Sequence, residues 1–156
     1  MTTSIEQTNT PEHIHPWVAE GQDKLRYGVT GGWTLGGWSA LRDFVETAER
    51  LGFDSYWRPD HPIRLPDCWT MLAAVAACTR RLRVGSLVTP VFYRNPLLQA
   101  SIVLAVDDVS NGRVVLGLGG GDMQEEFRAM GMPFPPTRER QAALSEGLQV
   151  PTSAAR

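Results

Sequence analysis

Two short stretches of this chain carry side chains able to move a proton. In "RPDHP" (58–62) Asp60 and His61 stand side by side between prolines that limit the loop's freedom. His61 is the one histidine outside the N-terminal arm, and an imidazole titrates near neutral pH, so it is the chain's candidate general base or acid. The competing reading is an incidental loop histidine. In "VVLGLGGGDMQEE" (114–126) a glycine run, Gly119, Gly120 and Gly121, ends on Asp122.

That glycine run could be a phosphate cradle or a turn carrying a carboxylate. A dinucleotide fingerprint needs glycines at its first, third and sixth positions, in the first strand–helix turn. Counted from Gly117, Gly119 fits, but Asp122 takes the sixth position, with Glu125 and Glu126 close behind. Three carboxylates would repel a phosphate and occupy a helix N-terminus themselves. Two readings stay open: Asp122 caps the next turn, or the glycines let a flat ligand approach the backbone while Asp122 points at it.

The elements that must position these groups alternate strand and helix. "LRYGV" (25–29) reads as a strand, "TGGWTLGG" (30–37) as a turn, and Trp38, Leu41, Phe44, Val45, Ala48 and Leu51 as one apolar stripe of a helix. "FDSYW" (53–57) is a second strand, and Asp67 caps a helix over 68–79 that is apolar nearly all round. "LRVGSLVT" (82–89) lacks alternation, as a strand covered on both faces does. Asn95 and Pro96 open a helix to about 109, "RVVLGLG" (113–119) is the fourth strand, and short helical pieces follow at "QEEFRAMG" and 138–150. Four strand–helix units predict parallel strands with right-handed crossovers, either in a doubly wound sheet or in part of a (β/α) barrel. In both, Asp60, His61, Ser86, Thr89 and Asp122 sit at one mouth, the C-terminal ends of the strands.

Composition narrows the function. The 156 residues carry a net charge of −2 and no basic run, which argues against nucleic acid as a partner. The most apolar stretch, 68–79, is too short to span a bilayer, and the N-terminus lacks a signal-peptide layout, so the chain is expected to be cytoplasmic. Cys68 and Cys78 fall about 15 Å apart on one helix, beyond disulfide reach, and read as buried thiols. Residues 1–24 read as a loose arm, and the two histidines of "HIHPW" as part of it rather than as a metal site.

From about residue 25 to 150 the chain resembles the bacterial luciferase-like monooxygenase family, which includes FMN-dependent and deazaflavin (coenzyme F-420)-dependent oxidoreductases. The resemblance rests on the Asp-His pair, "TRRLRVGSLVTP", "RNP", "SNGRVVLGLGGG" and "PFPPTRERQAALSEGLQV", in that order. It implies a TIM-barrel type (β/α) fold holding reduced FMN or deazaflavin at the strand mouth, and a small organic substrate. By the same resemblance a non-proline cis peptide at Ser86 and Leu87 would lie beside the cofactor ring, Thr89 would hydrogen-bond it, and Asp60 would help to hold it. Gly119, Gly120 and Gly121 would flank it, while His61 would accept a proton with Asp122 as partner. Glu125 stands where similar proteins carry an amide.

A complete barrel takes about 250 residues and eight units, whereas four are legible here before "PTSAAR" (151–156), which does not resemble the family. A truncated or split half barrel is the expectation, with exposed strand edges met by homo-oligomerisation or a complementing half-barrel. The alternatives to an oxidoreductase are a catalytically inactive fragment or interaction subunit, and a flavodoxin-like domain, whose phosphate loop "TGGWTLGG" does not supply.

Overall fold

The computed structural model describes residues 15–32 and 36–149. His13, part of the first glycine-rich turn and the 151–156 tail lie outside that range. The elements in order are α1 (Pro16–Glu20), β1 (Gly28–Thr30), α2 (Trp38–Arg50), β2 (Ser55–Arg58), α3 (Cys68–Cys78), β3 (Arg83–Ser86), β4 (Thr89–Pro90), α4 (Pro96–Ser110), β5 (Val114–Val115), β6 (Leu118–Gly119), α5 (Gln124–Ala129) and α6 (Thr137–Gly147).

All strand pairs are parallel. β1, β2, β3 and β5 form one sheet in that order, with Tyr56 opposite Val84 and Gly85 opposite Val115. β4 and β6 form a second, two-stranded ladder with Thr89 opposite Leu118. Four βα units therefore stand in the order a barrel requires; the third strand is broken, in keeping with the cis peptide that the resemblance implied within it, and the fourth, read as continuous, is broken as well.

One face of the sheet is covered by helices, and the core lies there. Tyr56 and Val84 point out of the sheet into Leu41 and Val45 of α2, Leu72, Val75 and Ala76 of α3, and Val106 of α4. Because α3 packs between α2 and α4 as well as on the strands, its nearly uniform apolarity is what its position demands. The period-two alternation sends Trp57 to the opposite face, where glycines on both neighbouring strands make room for it. A Cβ on Gly28 or on Gly85 would each come within 2.6 Å of the Trp57 side chain.

Part of the expected loose arm is structured. Trp17 of α1 donates its indole N–H to Asp54 at 3.3 Å and has the guanidinium groups of Arg26 and Arg83 over its ring, each 4.7 Å from the centroid. His15 accepts from the Trp17 amide and caps the helix. Periodicity cannot reveal a five-residue helix held by one aromatic side chain. Among the described residues no cluster of His, Cys, Asp or Glu could hold a metal ion, and no helix is long and apolar enough to cross a membrane. Both cysteines are free; Cys68 is buried, while Cys78, also expected to be buried, is only half-buried.

Two charged side chains tie the helices to the strands. Arg113, almost wholly buried, donates to the carbonyls of Ala76 and Thr79 at the end of α3, of Leu82 before β3 and of Ser110 at the end of α4. Glu49 of α2 uses one carboxylate oxygen to accept the backbone amides of Arg80, Arg81 and Leu82, at 2.8, 2.6 and 2.9 Å. Partial burial opposes the Glu49 charge, but these three donors outweigh it and hold its carboxyl below the ordinary value of 4.5. A depressed carboxyl stabilises the fold above that ordinary value, and the contribution is lost as pH falls through the folded one. Glu49→Gln should therefore cost about 1 kcal/mol at pH 7, a figure reduced for solvent screening, and less at about pH 3, below the ordinary carboxyl value. Urea unfolding at both pH values tests this, and an equal penalty at both would refute it.

Candidate active site

The C-terminal ends of the strands surround a cleft of about 310 Å³, lined by His61, Leu87, Val88, Pro90, Gly119, Gly120, Gly121 and Asp122. That volume lies at the small end of the range for ligand sites. Its floor exists because β3 stops at Ser86 and the chain bends through a cis peptide between Leu87 and Val88 before resuming as β4. The cis bond thus falls one bond later than expected, since Ser86 is still held in the sheet. Its hydroxyl donates to the Gly117 carbonyl at 2.9 Å and accepts the Gly117 amide at 3.1 Å. Leu87 and Val88 are left exposed at the mouth, 53% and 39% accessible, in a chain whose strand residues are otherwise largely covered.

The glycine run belongs to the same construction. A Cβ on Gly117 would sit 2.2 Å from the Ser86 carbonyl oxygen, and one on Gly119 2.5 Å from a Val88 methyl, so the second broken strand can pass the bend only without side chains. Gly121 has φ +77°, and a Cβ there would meet the Phe127 ring at 2.8 Å. The result is a stretch of bare backbone packed directly against Val88, with Leu87 and Val88 beside it in the lining of the cleft.

Three residues expected at the ring have partners within the protein. Asp60 is 1% exposed, bridges to Arg94 and accepts the Thr89 hydroxyl at 3.1 Å. Thr89 also accepts the indole N–H of Trp69 at 3.0 Å, and Ser86 is committed to Gly117. None of the three lines the cleft. Arg94 continues to Asp67 at 2.7 Å, so this buried network joins the loop after β2 to the loop before α4. Burial opposes the charge on Asp67, but the Thr70 amide and Arg94 outweigh it and hold that carboxyl below its ordinary range. The network holds the walls of the mouth in place, and Asp60 serves it instead of touching the cleft.

His61 and Asp122 both line the cleft, as expected, but they are not bonded to each other. The partner of His61 is Glu126, whose Oε2 lies 3.1 Å from His61 Nδ1 and also accepts the Tyr93 hydroxyl. Glu126 is fully buried, whereas Asp122 is exposed. The next residue, Phe127, packs against the rings of Phe92, Tyr93 and Phe134 at centroid distances of 5.8, 5.6 and 5.0 Å, and so pins the short α5 beneath His61. Glu125, at the position where an amide was expected, faces outward and pairs with Arg64 at 3.1 Å. Sequence reasoning passed over Glu126 as one of three acids. Its burial follows from the packing of α5 through Phe127 onto Phe92, Tyr93 and Phe134, which no local period announces.

The fold is that of the luciferase-like barrels. The model of the luciferase-like monooxygenase family matches residues 9–151, and the chain belongs to that family. It is 38% identical over 120 residues to an F420-dependent glucose-6-phosphate dehydrogenase of Amycolatopsis mediterranei, the match covering 70% of this chain and 36% of that protein. It superposes with a TM-score of 0.64 on the coenzyme F420 dependent tetrahydromethanopterin reductase of Methanopyrus kandleri, at 28% identity over 72% of this chain and 31% of that one. The FMN complex of the oxygenating constituent of 3,6-diketocamphane monooxygenase from Pseudomonas putida shares the fold, with a TM-score of 0.66 at 20% identity over 81% of this chain and 38% of that one. The chain thus spans about a third of the length of these relatives.

Proposed function

We propose that this chain supplies the ring-binding side of the active site in a luciferase-like oxidoreductase that uses deazaflavin or FMN and acts on a small organic substrate. The observation that carries the reading is the cleft itself: bare glycine backbone beside the Leu87–Val88 bend, with His61 and Asp122 in the same lining. The residues present suit the ring. Either cofactor would supply hydride transfer, and reduced FMN can in addition activate oxygen. Leu87 and Val88 would exclude water from one face of the ring, Gly119 to Gly121 would flank it, and His61 and Asp122 would handle the proton.

The similarity to F420-dependent enzymes favours deazaflavin. The phosphate-bearing tail of either cofactor finds no lysine or arginine among the residues lining the cleft, so its charge must be met from outside this lining. This favours a second reading, a subunit or segment that needs a complementing half barrel or another copy before it binds. Titration of the protein with deazaflavin and with FMN, followed by ring fluorescence beside size-exclusion chromatography, tests both readings. Saturable binding in a defined assembly is expected. A well-folded protein that binds neither cofactor, alone or assembled, would rule out the oxidoreductase reading for this chain.

A further inference from the structure

Glu126 is a fully buried carboxylate, and the mouth of the barrel gives it two donors. Both reach the same oxygen: His61 Nδ1 at 3.1 Å and the Tyr93 hydroxyl. The other oxygen, Oε1, is buried without a hydrogen-bond partner. A buried carboxylate is costly unless donors face it, and when ionised it can only accept. With Glu126 ionised, the ring nitrogen that faces it brings the proton.

In neutral His61 that places hydrogen on Nδ1 and leaves a lone pair on Nε2, which has no partner among the described residues on a ring that lines the cleft. The neighbouring phenol reinforces the arrangement. Burial, and next the Glu126 carboxylate, push the Tyr93 hydroxyl above its usual range, so it remains a donor. Phe127, locked among three aromatic rings, keeps the Glu126 backbone from moving away.

We infer that Glu126 is a positioning residue: it fixes His61 as the Nδ1–H tautomer and thereby makes Nε2 the atom that takes up and returns a proton in the cleft. This deepens the oxidoreductase reading and rests on it for the use of that proton. In the step itself an acidic O–H in the cleft breaks and an Nε2–H bond forms. The imidazolium charge is balanced across Nδ1 by Glu126, and the proton later leaves from Nε2 to solvent.

The test needs no cofactor. Long-range 15N–1H correlation spectra of 15N-histidine-labelled protein distinguish a protonated ring nitrogen from a bare one, and they should show His61 with Nδ1 protonated and Nε2 bare. Glu126→Gln keeps the shape but can donate as readily as it accepts, so the single form should give way to a mixture. In turnover the same variant should lower kcat at least tenfold while KM changes less than threefold. A native spectrum with hydrogen on Nε2, or an unchanged tautomer in a folded Glu126→Gln protein, overturns the inference. If the spectra behave as expected and neither FMN nor deazaflavin binds, the positioning stands and the oxidoreductase reading falls.

Discussion

Turnover should fall about a hundred- to ten-thousand-fold when His61 is replaced by glutamine, with little change in stability. Glutamine retains a side-chain N–H that can reach Glu126, so the buried carboxylate keeps a donor. It has no group that ionises near neutral pH, so proton transfer is lost. His61→Ala should lose the same activity and also destabilise the protein, because Glu126 would retain only Tyr93. Steady-state rates read beside thermal unfolding separate the two effects. If His61→Gln retained activity within threefold of native, His61 would not be the proton-transfer group, and Asp122, which shares the cleft, would become the candidate to test in its place.

Arg113→Met should be the most damaging single change outside the cleft. The guanidinium has no carboxylate partner among its hydrogen bonds. It is satisfied by carbonyl groups, two of them at the C-terminal end of α3 and one at the end of α4, where helix dipoles favour a cation. Methionine fills much of the volume but leaves four carbonyls, those of Ala76, Thr79, Leu82 and Ser110, without this donor. Each unsatisfied buried acceptor costs about 1–3 kcal/mol, so even with partial relaxation a loss of about 4 kcal/mol is expected, out of a total that is typically about 5–15. In a domain of this size that corresponds to a fall in Tm on the order of 10 °C. Arg113→Lys keeps the charge with fewer donors and should lie between. A Met variant that melts within 2 °C of native would show that water replaces the guanidinium at no cost.

These two residues also show what the sequence could and could not reveal. The alternation of strand and helix was legible because each amphipathic or apolar run is a local pattern, and the helices over 38–50, 68–78 and 96–110 lie within a residue or so of where periodicity and caps put them. His61 and Asp122 were legible as residents of one mouth, since parallel strands bring their C-terminal ends together. What they bond to was not. His61 meets a partner 65 positions away, and Arg113 meets acceptors 31 to 37 positions away; no local period encodes such pairings.

Asp60, Ser86 and Thr89 were placed at the cofactor ring by the family resemblance. Their protein partners lie 20 to 34 positions away, Arg94 for Asp60, Gly117 for Ser86, and Trp69 and Asp60 for Thr89, and no local pattern encodes those pairings. The break in "LRVGSLVT" was signalled only by the cis peptide that the resemblance implied, and the break in "RVVLGLG" not at all, because runs rich in apolar and small residues do not announce where pairing stops.

The Ser86 hydroxyl carries one further consequence. Where β3 swings away, the backbone amide of Gly117 loses the strand that would have accepted its hydrogen bond, and the serine side chain stands in for the missing peptide. A parallel sheet can thus be parted in its interior, and a chamber sunk between its strands, without leaving an amide stranded. The cleft is cut into the sheet itself, so its walls inherit the stiffness of hydrogen-bonded strands, and a ligand entering it would meet a shape already made.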